Sequence, residues 1–202
     1  MKTVFMFSGQ GAQYAGMGKD LYKNYPVAKE IFDRADNVLG YSIKDICFED
    51  EQKLGETEFA QPAILTMSIA AMKVLEEEGV RADMTAGLSL GEYSAYVASE
   101  AMDFEEAVAL VQKRGKFMAE AVPSGEGAMY AIIGLDTALV EEACAEATAE
   151  GDGLAVPANY NAPGQIVIAG HAQAAKRAAA LAKEKGAKLT VPLKVSGPFH
   201  TE

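Results

Sequence analysis

Gly87-Leu88-Ser89-Leu90-Gly91 sets a serine between two Gly-x arms, after the short apolar run Met84-Thr85-Ala86 and before the apolar stretch Glu92-Tyr93-Ser94-Ala95-Tyr96-Val97-Ala98. A strand, a strained turn carrying a serine and then a helix make a nucleophile elbow, whose chemistry is covalent acyl transfer. Residues 87 and 91 must be small because strand and helix pass close together there. Ser89 would then stand at a helix N-terminus, where backbone N–H groups and the helix dipole favour a developing oxyanion. A tight strand-to-helix turn with a capping serine would look the same. The motif therefore gains its weight from the rest of the chain.

A serine hydroxyl attacks a thioester or ester only when a base takes its proton, and histidine is the side chain suited to that near neutral pH. The sequence has two, His171 and His200. His171 follows Gly170 at the start of a predicted helix and reads as a partly exposed cap residue. Many acids are available as a third member, and none stands out. Arg114 lies on the helix after the elbow. Most helix arginines face solvent, but one turned into a cleft would grip a free carboxylate with its planar fork. Phe7-Ser8-Gly9-Gln10-Gly11-Ala12-Gln13 follows a first apolar strand, and its glycines would let backbone come close to a bound group and offer a second N–H.

The elements that must position these residues follow from periodicity and turn chemistry. A strand is expected at 3–7, then helices at 17–25, 27–39 and 43–48. A longer helix is expected at 62–78, with Gln61 as its cap, Pro62 at its first position and Gly79 ending it. Another is expected at 104–121, where apolar residues 107, 108, 110, 111, 117 and 118 recur at helical spacing, broken by Pro123-Ser124-Gly125. From there the pattern reads strand 128–135, helix 137–149, strands 154–159 and 165–169 joined by Asn161-Ala162-Pro163-Gly164, helix 172–185 and strand 188–195. The order β-α-β-β-α-β is that of a ferredoxin-like module. The expected fold is α/β, with a serine-hydrolase-like main domain at 1–125 and 196–202 and a ferredoxin-like small domain inserted at 126–195.

Half of the 202 residues are hydrophobic, enough for a sizeable core in one domain or a domain with an insert. The N-terminal apolar run is too short for a signal peptide and no stretch reaches a membrane span, so a soluble cytoplasmic protein without membrane association is expected. A net charge of −11 argues against nucleic acid as partner. Cys47 and Cys144 make no disulfide framework, and with two histidines and no clustered ligands neither a metal site nor a cofactor is expected. Residues 171–202 reverse the charge: Lys176, Arg177, Lys183, Lys185, Lys188 and Lys194 stand against Glu184 and Glu202. This reads first as a solvated helix face, and second as a basic patch for an acidic partner or a CoA phosphate.

Taken together, the stretches around Gln10, Gln61-Pro62-Ala63, Gly87 to Tyr93, Arg114-Gly115-Lys116-Phe117-Met118, Asn159-Tyr160-Asn161-Ala162-Pro163-Gly164-Gln165 and Gly197-Pro198-Phe199-His200 resemble the malonyl-CoA:acyl carrier protein transacylases, from Val4 to His200. The resemblance implies a Ser89–His200 dyad, an oxyanion hole from the backbone N–H groups of Gln10 and Leu90, and Arg114 as holder of the malonyl carboxylate. Gln61, Met118 and Asn159 would line the site, although the last two equally suit core packing and a turn. Leu88 stands where the family often has His, a departure that would alter the cleft wall without removing the nucleophile, and Phe199 resembles the bulky residue of acyltransferases that prefer malonyl over α-methyl-substituted units. Malonyl-CoA and acyl carrier protein are the implied partners, in a ping-pong transfer that supplies extender units. Family members run on past Gly-Pro-Phe-His, so the chain reads as C-terminally truncated, and what orients His200 would lie beyond residue 202. A serine hydrolase or thioesterase, with water as acceptor, and an inactive fragment that only binds CoA or acyl carrier protein remain the rival readings.

Overall fold

Strands and helices alternate along the chain in a computed structural model, which describes residues 2–123, 125–193, 195 and 197–201. Ser124 of the expected helix breaker, Lys194 of the basic run, the expected domain return at Ser196 and the last residue, Glu202, lie outside the described residues. The fold is mixed α/β, and its contacts divide it into two compact units, 1–117 and 118–202.

In the first unit, β1 (Val4–Phe7) and β2 (Met84–Gly87) pair in parallel, with Val4 opposite Met84 and Phe7 opposite Gly87. Parallel strands need a long crossover. Here it consists of α1 (Lys19–Asn24), α2 (Pro26–Leu39), α3 (Ile43–Glu49), α4 (Glu51–Leu54) and α5 (Thr57–Glu77). α6 (Gly91–Ala98) and α7 (Phe104–Ala121) follow β2. The core lies between α2, α5 and α7, where Ile31, Phe32, Leu65, Ile69, Val108 and Val111 are buried, and Phe5 and Phe7 of β1 pack onto it. Strand alternation sends Val4, Met6 and Met84 to the opposite, exposed face.

The expected start of one helix is wrong. The helix predicted at 62–78 begins at Thr57, so Gln61 is no cap and Pro62 sits inside the helix. Proline removes one N–H and so leaves the carbonyl four residues back without its helical donor. Burial outweighs that loss, because Thr57, Ala60 and Gln61 are all buried by continuing the helix toward its N-terminus.

In the second unit β3 (Gly127–Ile133), α8 (Thr137–Ala149), β4 (Ala155–Ala162), β5 (Gln165–His171), α9 (Ala172–Glu184) and β6 (Leu189–Pro192) follow in the expected order. The four strands form one antiparallel sheet in the order β4-β5-β3-β6. Pro163 and Gly164 make the turn between β4 and β5, with Gly164 at φ 73°. Ile132, Ile166 and Ile168 face the alanine-rich sides of α8 and α9. Met129, Val167 and Ala169 point the other way and pack with Val195 and Phe199.

Candidate active site

The elbow forms because β2 must turn into α6 within three residues. Ser89 takes the left-handed conformation, φ 53°, which a side-chain-bearing residue adopts only under constraint. The constraints are visible. Leu88 N–H donates to Phe7 O at 3.1 Å, tying the turn to β1, and Gly91 N–H donates to Leu88 O at 2.9 Å. Both flanking glycines are required: a Cβ at Gly87 would run into the Gly91 carbonyl, and one at Gly91 into the Phe7 carbonyl. Leu90 is fully buried and anchors the turn, whereas Leu88 is exposed.

Three elements converge on Ser89. Arg114 of α7 donates from Nη2 to Ser89 Oγ at 3.2 Å and from Nη1 to Gln61 Oε1 at 2.8 Å. Gln61 is fully buried on α5, so its amide is a fixed acceptor. The guanidinium carbon also lies 5.6 Å from the ring centroid of Tyr93, in the first turn of α6. No carboxylate among the described residues pairs with Arg114. A half-buried guanidinium whose partners are an amide, a hydroxyl and a ring keeps its charge and part of its donor fork for an anion. Gln10 closes another side: its Nε2 donates to Thr57 Oγ1 at 3.1 Å, fastening the loop after β1 to the start of α5.

Sequence reading named Ser89, Gln10, Gln61, Leu90 and Arg114, and they lie in the first unit. Gln61, expected as a cap and a lining residue, is no cap: it sits inside α5 and accepts from Arg114. Sequence reading missed Tyr93, Thr57 and Gly115. Gly115 is buried within α7, and a Cβ there would stand 2.6 Å from Thr57 O, so this glycine lets α7 approach α5 closely enough for Arg114 and Gln61 to meet. A glycine inside a helix is the one signal that could have found it. Thr57 carried none.

The other named residues lie in the second unit. Met118 is half-buried on the last turn of α7. Asn159 is no turn residue but a strand position, opposite Val167 in the β4–β5 ladder. Phe199 packs against Met129, Val167 and Ala169, and His200 follows it in the left-handed region at φ 62°. His171 ends β5, and its Nδ1 accepts from Leu154 N–H at 3.0 Å.

The basic run of α9 is internally paired. Arg177 binds Glu150 at 2.8 Å, and Lys185 reaches Glu142 at 3.1 Å and Glu146 at 2.9 Å. Lys183 donates to the carbonyls of Ala187 and Lys188. The Arg177 contact holds the Glu150 carboxyl below its usual range. These cations form a solvated face shared with α8.

Among the described residues, no group of three or more His, Cys, Asp or Glu is arranged to hold a metal ion. Among the same described residues, no helix is long and apolar enough to cross a membrane. Burial pushes the thiols of Cys47 and Cys144 up to about 12, so neither is a nucleophile at neutral pH.

The fold is mixed α/β, and a strained serine between a parallel strand pair and a helix, faced by a cation, is an arrangement in which a serine can serve as a nucleophile. The chain belongs to the acyl transferase domain family, whose pattern matches residues 4–197. It is 52% identical, over its whole length, to the malonyl CoA-acyl carrier protein transacylase of Bacillus subtilis (strain 168), and covers 63% of that protein. With the Escherichia coli (strain K12) protein of the same name the identity is 50%, over 98% of this chain and 64% of the relative. Solved structures agree. MCAT from Streptococcus pneumoniae superposes with TM-score 0.92 at 55% identity, covering 99% of this chain and 65% of that one. A type II PKS acyl-carrier protein in complex with its malonyl-transacylase gives TM-score 0.93 at 44% identity, over 98% and 64%. The chain thus spans slightly under two thirds of the length of these relatives.

Proposed function

We propose that the protein transfers a malonyl group from malonyl-CoA to the phosphopantetheine thiol of an acyl carrier protein through an ester on Ser89. The observation that carries this reading is the Arg114 donation to Ser89 Oγ at 3.2 Å. A malonyl carboxylate is one methylene away from the thioester carbonyl that the serine must attack, so a guanidinium held beside the nucleophile can take the carboxylate while the carbonyl meets Oγ. Acetyl and simple fatty acyl groups have nothing to give it.

In the first half-reaction Ser89 Oγ attacks the thioester carbon and its proton passes to His200. The tetrahedral oxyanion lies against the N–H groups of Leu90 and Gln10, and the C–S bond breaks with the proton delivered to the leaving CoA thiolate. In the second, His200 takes the proton of the carrier's thiol, the thiolate attacks the ester, and Ser89 regains its proton. No redox change occurs. Met118, Asn159 and Phe199 would line the acyl site, with Phe199 disfavouring α-methyl-substituted units. The cytoplasm is the compartment this proposal assumes. The named activities of relatives around 50% identical support it, as does the solved neighbour that holds a carrier protein.

The same proposal takes 126–195 as a ferredoxin-like module inserted in a serine-hydrolase-like main domain at 1–125 and 196–202. The succession β3-α8-β4-β5-α9-β6 with strand order β4-β5-β3-β6 supports it.

Intact-mass measurement after incubation with malonyl-CoA tests the mechanism. One malonyl adduct is expected, absent in Ser89→Ala and discharged by a carrier bearing its phosphopantetheine thiol. An adduct elsewhere would overturn the assignment, and discharge to water at the same rate without the carrier would make the protein a hydrolase.

A further inference from the structure

We infer that Tyr93 is a positioning residue for Arg114, its ring face seating the guanidinium so that the donor fork stays registered with Ser89. The inference rests on the reading of Arg114 as the carboxylate holder. Arg114 reaches the site on a long side chain from α7, and two hydrogen bonds fix two of its terminal nitrogens, to Gln61 and to Ser89. When a substrate carboxylate takes over the nitrogen now donating to Ser89, only the Gln61 bond would remain. The ring supplies a contact that does not compete for donors: the guanidinium carbon lies 5.6 Å from its centroid, within the range at which a cation is drawn to the negative face of an aromatic ring.

The ring is itself well held. Tyr93 N–H donates to Leu90 O at 3.1 Å in the first turn of α6, and its side chain packs half-buried against the core of the first unit. Tyr93 also lies four residues after Ser89, on the helix that the elbow begins. Nucleophile and seat therefore belong to one rigid element, and Arg114, arriving from another, is aligned to both. The ring face does this work, so phenylalanine should serve.

The test compares the rate of ester formation on Ser89 from malonyl-CoA and from acetyl-CoA, measured on the whole protein. Tyr93→Phe should keep the malonyl preference. Tyr93→Leu should lower kcat/KM for malonyl-CoA by about 3- to 30-fold, chiefly through KM, and leave acetyl-CoA nearly unchanged. Phenylalanines with one, two and three ring fluorines at position 93 keep the shape and drain the ring face, so the preference should fall stepwise along the series. This series decides the matter even if the leucine variant fails to fold. In an Arg114→Ala background, Tyr93→Leu should change the preference no further. A trifluorinated ring as selective as phenylalanine, or equal losses for both substrates, would overturn the inference alone. If Arg114→Ala itself kept the malonyl preference, the reading of Arg114 would fall, and this inference with it.

Discussion

Replacing Gly115 by alanine sets two opposed effects against each other at the point where α7 meets α5. Alanine is the better helix former by about 1 kcal/mol, so an unobstructed site would be stabilised. This site is obstructed. The new Cβ would stand 2.6 Å from Thr57 O and 2.9 Å from Glu58 Cα, both backbone atoms that no rotamer change can move aside, whereas ordinary contact begins at about 3.4 Å. Forcing a methyl group into a packed interface costs about 1–3 kcal/mol, and a clash with backbone belongs at the upper end. The expected net result is a loss of about 1–2 kcal/mol. The geometric consequence is larger than the energetic one. Separating the helices pulls on the 2.8 Å hydrogen bond from Arg114 to Gln61, one residue away, and on the 3.1 Å bond from Gln10 to Thr57. Gly115→Ala should therefore lose malonyl reactivity more than acetyl reactivity, under conditions where urea unfolding shows the protein fully folded. A variant more stable than the parent, with unchanged preference, would refute the argument that this close approach positions Arg114.

Ser94 and Thr66 are fully buried, and their hydroxyl oxygens have no hydrogen-bond partner among the described residues. Ser94→Ala and Thr66→Val should leave stability unchanged or raise it by about 1 kcal/mol in urea titrations, since an unmet buried hydroxyl is a cost. Cys47 and Cys144 keep their protons up to about 12, whereas an unfolded thiol ionises near 9. Below pH 9 both states are protonated, and between 9 and 12 the unfolded chain alone releases protons, so stability should fall with rising pH across that window. The urea midpoint of a Cys47→Ala, Cys144→Ala variant should fall less steeply there; an identical slope would contradict the burial argument. Val4, Met6 and Met84 expose 44, 82 and 54% of their surface on one face of the β1–β2 pair. Sedimentation velocity should show concentration-dependent association of the 202-residue chain that Met6→Glu weakens.

Elements with a strong repeating pattern were legible in the sequence almost to the residue. α7 was expected at 104–121 because its apolar positions recur at helical spacing, and α8 falls at the expected 137–149, where Asp136, not singled out in the sequence, caps it by accepting from Ala138 N–H at 3.0 Å. The elbow was legible because its two glycines answer a local steric demand.

What was not legible depends on tertiary contact. The rule placing proline at a helix start concerns one N–H group, and it put the start of α5 at Pro62; the burial of Thr57, Ala60 and Gln61 against the rest of the unit moved it to Thr57. That shift decides the chemistry of Gln61. As a cap its side chain would have turned back toward the backbone of its own helix, but one turn inside α5 it is carried to the face that meets α7, where Gly115 leaves room for it to take Arg114. Arg114 could be named from its type and its place after the elbow. Its aim could not, because three residues on three elements set it, and each looks ordinary alone: a glutamine in an apolar helix, a tyrosine after the motif and a glycine where alanine would have made the better helix.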